Sequence, residues 1–266
     1  MAPFCFLHFT DPHVPPPGGS VQGSDPTPGL AAALADAAVR HGPDGALPAA
    51  FAVFTGDLVR DGESAAYARL RDALDGLPWP VHLLLGNHDD RDAFRSAFPA
   101  AALDDAGFVQ QAVPTPAGLC VMLDTLASER PEGELCARRL AWLAERLADT
   151  AGPVMLFLHH PPLPAGIPSM DRIGLCDADA LWAALAPHRD RIRHIFHGHL
   201  HRPVAGSWRG IPLSSLRGTA FAVTLDQRPD APTVSRREAP CYALARVEGD
   251  DVVVHTVELM DAPREP

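Results

Sequence analysis

Five apolar runs of strand length each end in Asp, Asn or His, and this repetition constrains the fold of the chain more than any other feature. FCFLHF (4–9) runs into Thr10-Asp11-Pro12-His13, FAVFT (51–55) into Gly56-Asp57, and VHLLL (81–85) into Gly86-Asn87-His88-Asp89. PVMLFL (153–158) is followed by His159-His160-Pro161-Pro162, and IRHIF (192–196) by His197-Gly198-His199-Leu200-His201. A sixth apolar run, LCVML, covers 119–123. Helical patterns lie between them at about 27–41, 63–75, 91–98, 134–148 and 177–188, so strands and helices alternate. Such an order predicts a sheet with helices packed outside it. In sheets of this kind ligands bind at the carboxyl ends of the strands, so the five polar ends are expected to converge on one site.

Local signals refine the pattern. Thr27 is the expected N-cap of the first helix, with Pro28 at its first position. In 134–148 the apolar Leu135, Leu140, Leu143 and Leu147 share one face, with Arg138, Arg139, Glu145 and Arg146 largely on the other. From about residue 204 the character changes to short strands, ending in a hairpin whose turn contains Gly249-Asp250. Residues 14–29 and 226–240 read as loops. No internal repeat or long linker divides the chain, which predicts one domain over 1–266.

Hydrophobic residues make up 47% of the 266 residues, enough for a substantial core. The net charge of −11, without any basic run, argues against a nucleic-acid polymer as partner. Bound divalent cations would reverse that charge locally, so a phosphorylated substrate stays open. The five scattered cysteines lack a CxxC pair and suggest reduced thiols. The N-terminus has no basic leader, and no apolar run reaches the roughly 18–20 residues that span a bilayer, which predicts a cytoplasmic protein without a membrane partner.

The donors at the strand ends suggest metal binding. Oxygen and imidazole ligands without thiolates suit divalent Mn, Fe or Zn. About eight candidates exceed one tetrahedral site and match two ions about 3.5–4 Å apart that share a carboxylate. Gly198 is expected to allow a tight bend before His199 and His201. Asn87 is the only asparagine in a chain that also lacks lysine; its amide oxygen can ligate without adding charge. A single polar residue at a strand end is usually a cap or packing residue, and His8, His41, His82, His188, His194, His255 and Asp44 are read that way, as is His197 at the end of its strand. Arg60, Arg91, Arg172, Arg202 and Arg217 could contact phosphate or base but are read as solvated.

The blocks D-x-H (11–13), GD (56–57), GNHD (86–89), H (159) and GHxH (198–201) stand in that order. With GDLVRDGESAAY, LGNHDDR, LHHPPLP and SMDRIGLCDADAL beside them, the chain resembles the calcineurin-like metallophosphoesterases. The likeness points to the branch with class III cyclic-nucleotide phosphodiesterases and bacterial glycerophosphodiesterases; 203–266 matches only loosely. It implies an α/β fold, a four-layer αββα sandwich of two mixed sheets with a dinuclear metal site at the carboxyl ends of the strands. The strand-rich 203–266 would complete the second sheet and, by analogy, offer a homodimer contact. Asp11, His13 and His201 are implied ligands of the first ion, Asn87, His159 and His199 of the second, with Asp57 bridging them. A hydroxide between the ions is the implied nucleophile. His88 would stabilise charge or protonate the leaving alkoxide, with Asp89 orienting it. The ligand falls on the first His of H-x-P, leaving His160 as a substrate contact or a support for a ligand. Pro12 departs from the commoner pattern but leaves both flanking donors in place.

The implied activity is metal-dependent hydrolysis of small phosphodiesters, either a 3′,5′-cyclic nucleotide such as cAMP or a glycerophosphodiester. A promiscuous phosphomonoesterase or phosphonate-ester hydrolase is the alternative within the superfamily. A non-catalytic metal-binding scaffold is disfavoured because every ligand position and His88 are intact.

Overall fold

A computed structural model describes residues 3–259; the few residues of the 1–266 range beyond these limits lie outside the description. In chain order the elements are β1 (Phe4–Phe9), α1 (Thr27–His41), β2 (Ala52–Thr55), α2 (Ser64–Leu74), β3 (Val81–Leu84), α3 (Arg91–Ala97), β4 (Gln111–Thr115), β5 (Gly118–Met122) and α4 (Ala137–Ala148). There follow β6 (Val154–Leu158), α5 (Pro168–Asp171), α6 (Ala178–Leu185), β7 (Ile192–His197), β8 (Val204–Trp208), β9 (Ile211–Ser215), β10 (Ala222–Val223), β11 (Ser235–Arg236), β12 (Cys241–Glu248) and β13 (Asp251–Glu258).

Two mixed sheets form the centre. The first has the order β13-β12-β1-β2-β3 and the second β4-β5-β6-β7-β9-β8, with β10 and β11 pairing apart from both. Strands β1, β2 and β3 run parallel, as do β5, β6, β7 and β9, while β12, β13, β4 and β8 pair antiparallel at the flanks. The central parallel strands are buried on both faces, which is why they read as unbroken apolar runs.

Three clusters account for the layers. Between the sheets, Phe6, Val53 and Leu84 meet Met122, Phe157 and Phe196, with Phe157 and Phe196 stacked at 5.0 Å and Phe6 edge-on to Phe157 at 5.4 Å. Outside the first sheet, Leu30, Leu34, Tyr67, Leu70 and Phe94 of α1, α2 and α3 pack against Leu7 and Phe54. Outside the second, Leu143, Leu147, Leu181 and Leu185 of α4 and α6 cover Leu156 and Ile195. The result is the expected α-β-β-α sandwich.

Several sequence expectations are corrected. Strands β8 and β9 join the second sheet, but the β12–β13 hairpin lies in the first, where β12 pairs antiparallel with β1 from Phe4↔Val247 to His8↔Ala243. Helix α1 begins at Thr27 with Pro26 as its flanking residue, and no side chain caps it from the N-cap position. The Asp25 carboxylate instead accepts from the Thr27 N–H at 3.0 Å. Arg139 does not face water: it is buried, donating to the carbonyls of Asp124 and Leu126 at 2.9 and 3.0 Å and to Glu134 at 2.9 Å. A long side chain with five donors can sit on a nominally apolar face when carbonyls line it. Among the described residues no helix is long and apolar enough to cross a membrane, and all five cysteines are free thiols.

Candidate metal centre

The loops after β1, β2, β3, β6 and β7 bring the polar strand ends into one place. Asp11, His13, Asp57 and His201 form one buried group, and His159, His160 and His199 a second. The first sheet supplies Asp11, His13, Asp57 and Asn87, and the second supplies the remaining histidines, so the centre straddles the two sheets.

Asp57 faces both groups. Its Oδ2 lies 3.4 Å from His13 Nε2 and its Oδ1 3.4 Å from His159 Nε2. Asp11 Oδ1 lies 3.3 Å from His201 Nε2, and Asn87 Oδ1 lies 3.3 Å from His159 Nε2. Backbone carbonyls set the imidazole orientation: His159 Nδ1 donates to the Thr55 carbonyl at 2.7 Å and His201 Nδ1 to that of Phe221 at 3.2 Å. In each ring Nε2 is then the atom turned toward the carboxylates, the orientation that a ligand needs. The Phe221 ring also stacks on His201, at 4.0 Å and 13°.

Whether this set fits divalent ions is answered by its unpaired atoms. His199 Nε2 is buried without a hydrogen-bond partner among the described residues, an arrangement that a cation in the same space would relieve. His160 differs from its neighbours, since Nδ1 meets Thr125 Oγ1 at 2.8 Å and Nε2 meets the Pro131 carbonyl at 3.2 Å. His159 Nε2 instead faces only side chains of the two groups, Asn87 Oδ1 and Asp57 Oδ1. The oxygen and imidazole set therefore fits hard or borderline divalent ions.

The backbone is strained here. Asp11 (φ 50°), His13 (φ 43°), Asp57 (φ 51°), His199 (φ 68°) and His201 (φ 48°) all adopt left-handed conformations, which side-chain-bearing residues seldom visit. Such strain collects where the surrounding fold over-determines a functional position. The two glycines act through space rather than through φ, contrary to the expected bends. A Cβ on Gly86 would collide with Asp57 Oδ1 and His159 Nε2, and one on Gly198 with Thr10 Oγ1.

Electrostatics follow from burial and the central carboxylate. Burial would raise Asp57, but charge on His159, His88 and His13 holds it well below the usual carboxylate range. Burial pulls His159 down, yet Asp57 outweighs it and lifts the ring to about 9. Burial keeps His13 and His199 well below the ordinary imidazole value.

His88 lies on the exposed rim with Nδ1 at 2.7 Å from the Arg60 carbonyl. Asp89 does not orient it, which corrects the sequence expectation. The Asp89 carboxylate accepts from the N–H groups of Leu58 (3.0 Å), Val59 (3.2 Å) and Gly86 (2.9 Å), and from the Tyr67 hydroxyl at 3.0 Å. It pins the β2 loop to the β3 loop, and burial with the nearby Asp57 charge lifts its carboxyl to about 7.

The arginines separate clearly. Arg60 borders the cavity but is paired with Asp61 and Glu63. Arg91 grips the buried Asp124, Arg217 is buried against Glu238 and Glu258, and Arg172 and Arg202 donate to backbone carbonyls. Sequence reasoning missed Thr10, Thr55 and Phe221. The first two carried a signal, since Phe-Thr precedes the acidic residue at the ends of both β1 and β2; Phe221, between two alanines just before β10, carried none.

The family profile described as calcineurin-like phosphoesterase matches residues 5–203. A probable cyclic nucleotide phosphodiesterase of Rhodopseudomonas palustris is 41% identical, over 97% of this chain and 94% of that protein. A glycerophosphodiester phosphodiesterase of Enterobacter lignolyticus is 31% identical, over 66% of each. The crystal structure of a dimetal phosphatase from Danio rerio superposes over 95% of both chains with a TM-score of 0.67 at 18% identity, a likeness of fold.

Proposed function

The chain belongs to the calcineurin-like phosphoesterase family, and on that premise we propose that it is a two-metal hydrolase of small phosphodiesters whose preferred substrate is a 3′,5′-cyclic nucleotide. The observation that carries the reading is Asp57, whose two oxygens each lie 3.4 Å from a histidine of a different group. A carboxylate so placed can serve two cations at once. Asp11, His13 and His201 would hold one ion, Asn87, His159 and His199 the other, with Asp57 shared; Fe, Mn and Zn all suit these donors. Bound divalent ions would supply the positive charge that screens an anionic diester and makes water nucleophilic near neutral pH.

The chain's own groups supply the rest. Asn87 contributes an oxygen without further negative charge. The Arg60 carbonyl holds His88 through Nδ1 at the cavity wall, leaving Nε2 as the nitrogen that would donate a proton to the leaving alkoxide. Burial alone would lower His88, but the Asp57 charge and the Arg60 carbonyl raise it above the ordinary imidazole value, so it keeps that proton to higher pH.

Beside the centre lies a cavity of about 430 Å³ with Val21, Met170, Ile173, Phe221 and Val223 in its wall. This apolar part of a lining that also holds Ser20, Gln22, Thr233 and Ser235, with its aromatic ring, suits a flat base better than a glycerol headgroup. The second reading, a glycerophosphodiester with a cationic headgroup, draws on Asp61 at the rim. An activity panel on metal-reconstituted protein tests the choice, comparing cAMP, cGMP, 2′,3′-cyclic nucleotides, glycerophosphoethanolamine, bis(p-nitrophenyl) phosphate and its monoester. A 3′,5′-cyclic nucleotide with the highest kcat/KM supports the proposal. Faster hydrolysis of glycerophosphoethanolamine selects the second reading, and a preferred monoester overturns both.

A further inference from the structure

Between the sheets a chain of three hydrogen bonds leads away from the metal centre. Thr10 Oγ1 donates to Asp11 Oδ2 at 2.6 Å, Thr55 Oγ1 donates to Thr10 Oγ1 at 2.8 Å, and His8 Nε2 lies 2.8 Å from Thr55 Oγ1. All four residues have no exposed surface. Proton counting gives the chain one direction. As a metal ligand Asp11 would be ionised and could only accept, so the single Thr10 proton goes to it; Thr10 must then accept from Thr55, whose single proton is thereby used. Thr55 can only accept from His8, which fixes His8 as the neutral Nε2–H tautomer. His8 Nδ1 accordingly carries a lone pair, and it has no partner among the described residues.

We infer that His8, Thr55 and Thr10 form a buried positioning relay that commits Asp11 to its cation through one oxygen, Oδ1. The relay rests on the ligand assignment proposed above, in which Asp11 serves the first ion. One oxygen is engaged by Thr10, and the other faces His201 Nε2 at 3.3 Å. The His199 N–H, 3.2 Å from both oxygens, holds the carboxylate plane from a second direction. Because β1 and the loop after it contribute His8, Thr10 and Asp11 while β2 contributes Thr55, the relay also locks the two loops that carry Asp11 and Asp57 into one register. Gly198 belongs to the same arrangement, since any Cβ there would strike Thr10 Oγ1. None of the three residues touches substrate; each acts through Asp11.

The relay is tested by titrating metal-stripped protein with Mn²⁺ in a calorimeter, so that the readout is affinity rather than turnover. Thr55→Val keeps the side-chain shape and removes the hydroxyl. Acting one bond beyond the direct partner Thr10, it should weaken one of two Mn²⁺ sites roughly tenfold, the low end of the range for losing a ligand's own hydrogen-bond partner, and leave the other within about twofold. Thr55→Ser should restore the lost affinity. Wild-type affinity at both sites in Thr55→Val, with one site lost in Asp11→Ala, overturns the relay alone; two intact sites in Asp11→Ala overturn the ligand assignment beneath it. A second measurement needs no relay substitution. In ¹⁵N-histidine spectra of the Zn²⁺-loaded wild type, with His8→Gln used only to assign the signal, His8 should be the Nε2–H tautomer; an Nδ1–H tautomer overturns the relay.

Discussion

His13 Nε2 and His201 Nε2 lie 3.1 Å apart, although β1 places one and β7 the other. The His201 Nδ1 proton is committed to the Phe221 carbonyl, so its Nε2 presents a lone pair to His13. Two imidazoles brought this close, beside two carboxylates, share either a proton or a cation. This local economy, repeated around Asp57, makes the centre sensitive to single changes in ways that can be measured.

Asp57→Ala removes the group that faces both sets of histidines. Elemental analysis should find up to two transition-metal ions per chain in the wild type and neither in the variant, with turnover abolished. A variant that keeps its ions and full activity would refute the shared-carboxylate reading.

Asn87→Asp keeps an oxygen donor and adds a negative charge. Ion content should be unchanged while kcat falls, because an extra anion weakens the pull of the ions on both nucleophile and diester. An unaltered kcat at full metal loading would remove the charge argument for asparagine.

His88→Ala should retain both ions, since the side chain belongs to neither buried group, and lose roughly 10²–10⁴-fold in kcat, the range for a missing general acid. Substrates with an acidic leaving group, such as p-nitrophenol, should lose least. An equal loss for all leaving groups would mean that His88 does not deliver the proton.

Gly86→Ala tests space rather than backbone freedom. The added Cβ would overlap Asp57 and His159, so metal affinity should fall at least tenfold even though alanine is the mildest substitution available. Unchanged metal affinity would show that the two loops yield easily.

Acid should destabilise the protein partly through histidines far from any ligand role. Burial lowers His194 to about 4, against roughly 6.5 in an unfolded chain. The unfolded state therefore takes up a proton between these values and the folded state does not, so this contribution to stability is lost as pH falls from 6.5 toward 4. In urea titrations the stability difference between wild type and His194→Gln should shift by up to about 1.4 kcal/mol per pH unit across that window, and stay flat above pH 7.5. A pH-independent difference would mean that His194 titrates normally.

Much of the site was legible because it depends on strand ends, and a parallel strand buried on both faces announces itself as an apolar run that stops at a polar residue. Strand β4 was invisible because QAVPT has neither an apolar run nor a clean alternation, and Pro114 sits inside it; only its pairing with β5 makes it a strand. The sheet to which β12 and β13 belong was misread because local sequence carries no information about which distant edge an antiparallel hairpin will join. Asp89 was misassigned for a related reason: adjacency to His88 suggested contact, whereas successive turn residues point different ways. The repeated Phe-Thr hinted at Thr10 and Thr55, but the bond between their hydroxyls is readable only from the pairing of β1 with β2.

Strand β1 has β2 on one side and β12 on the other. The first neighbour is made from residues 52–54, the second from residues 243–247. On a ribosome adding about 5–20 residues per second, β1, which leads into the loop of Asp11 and His13, therefore keeps one edge open for about ten seconds or more, until residues 243–247 have been made. Closing that edge depends on a pairing between residues 4–8 and 243–247, contacts so distant in sequence that they form slowly.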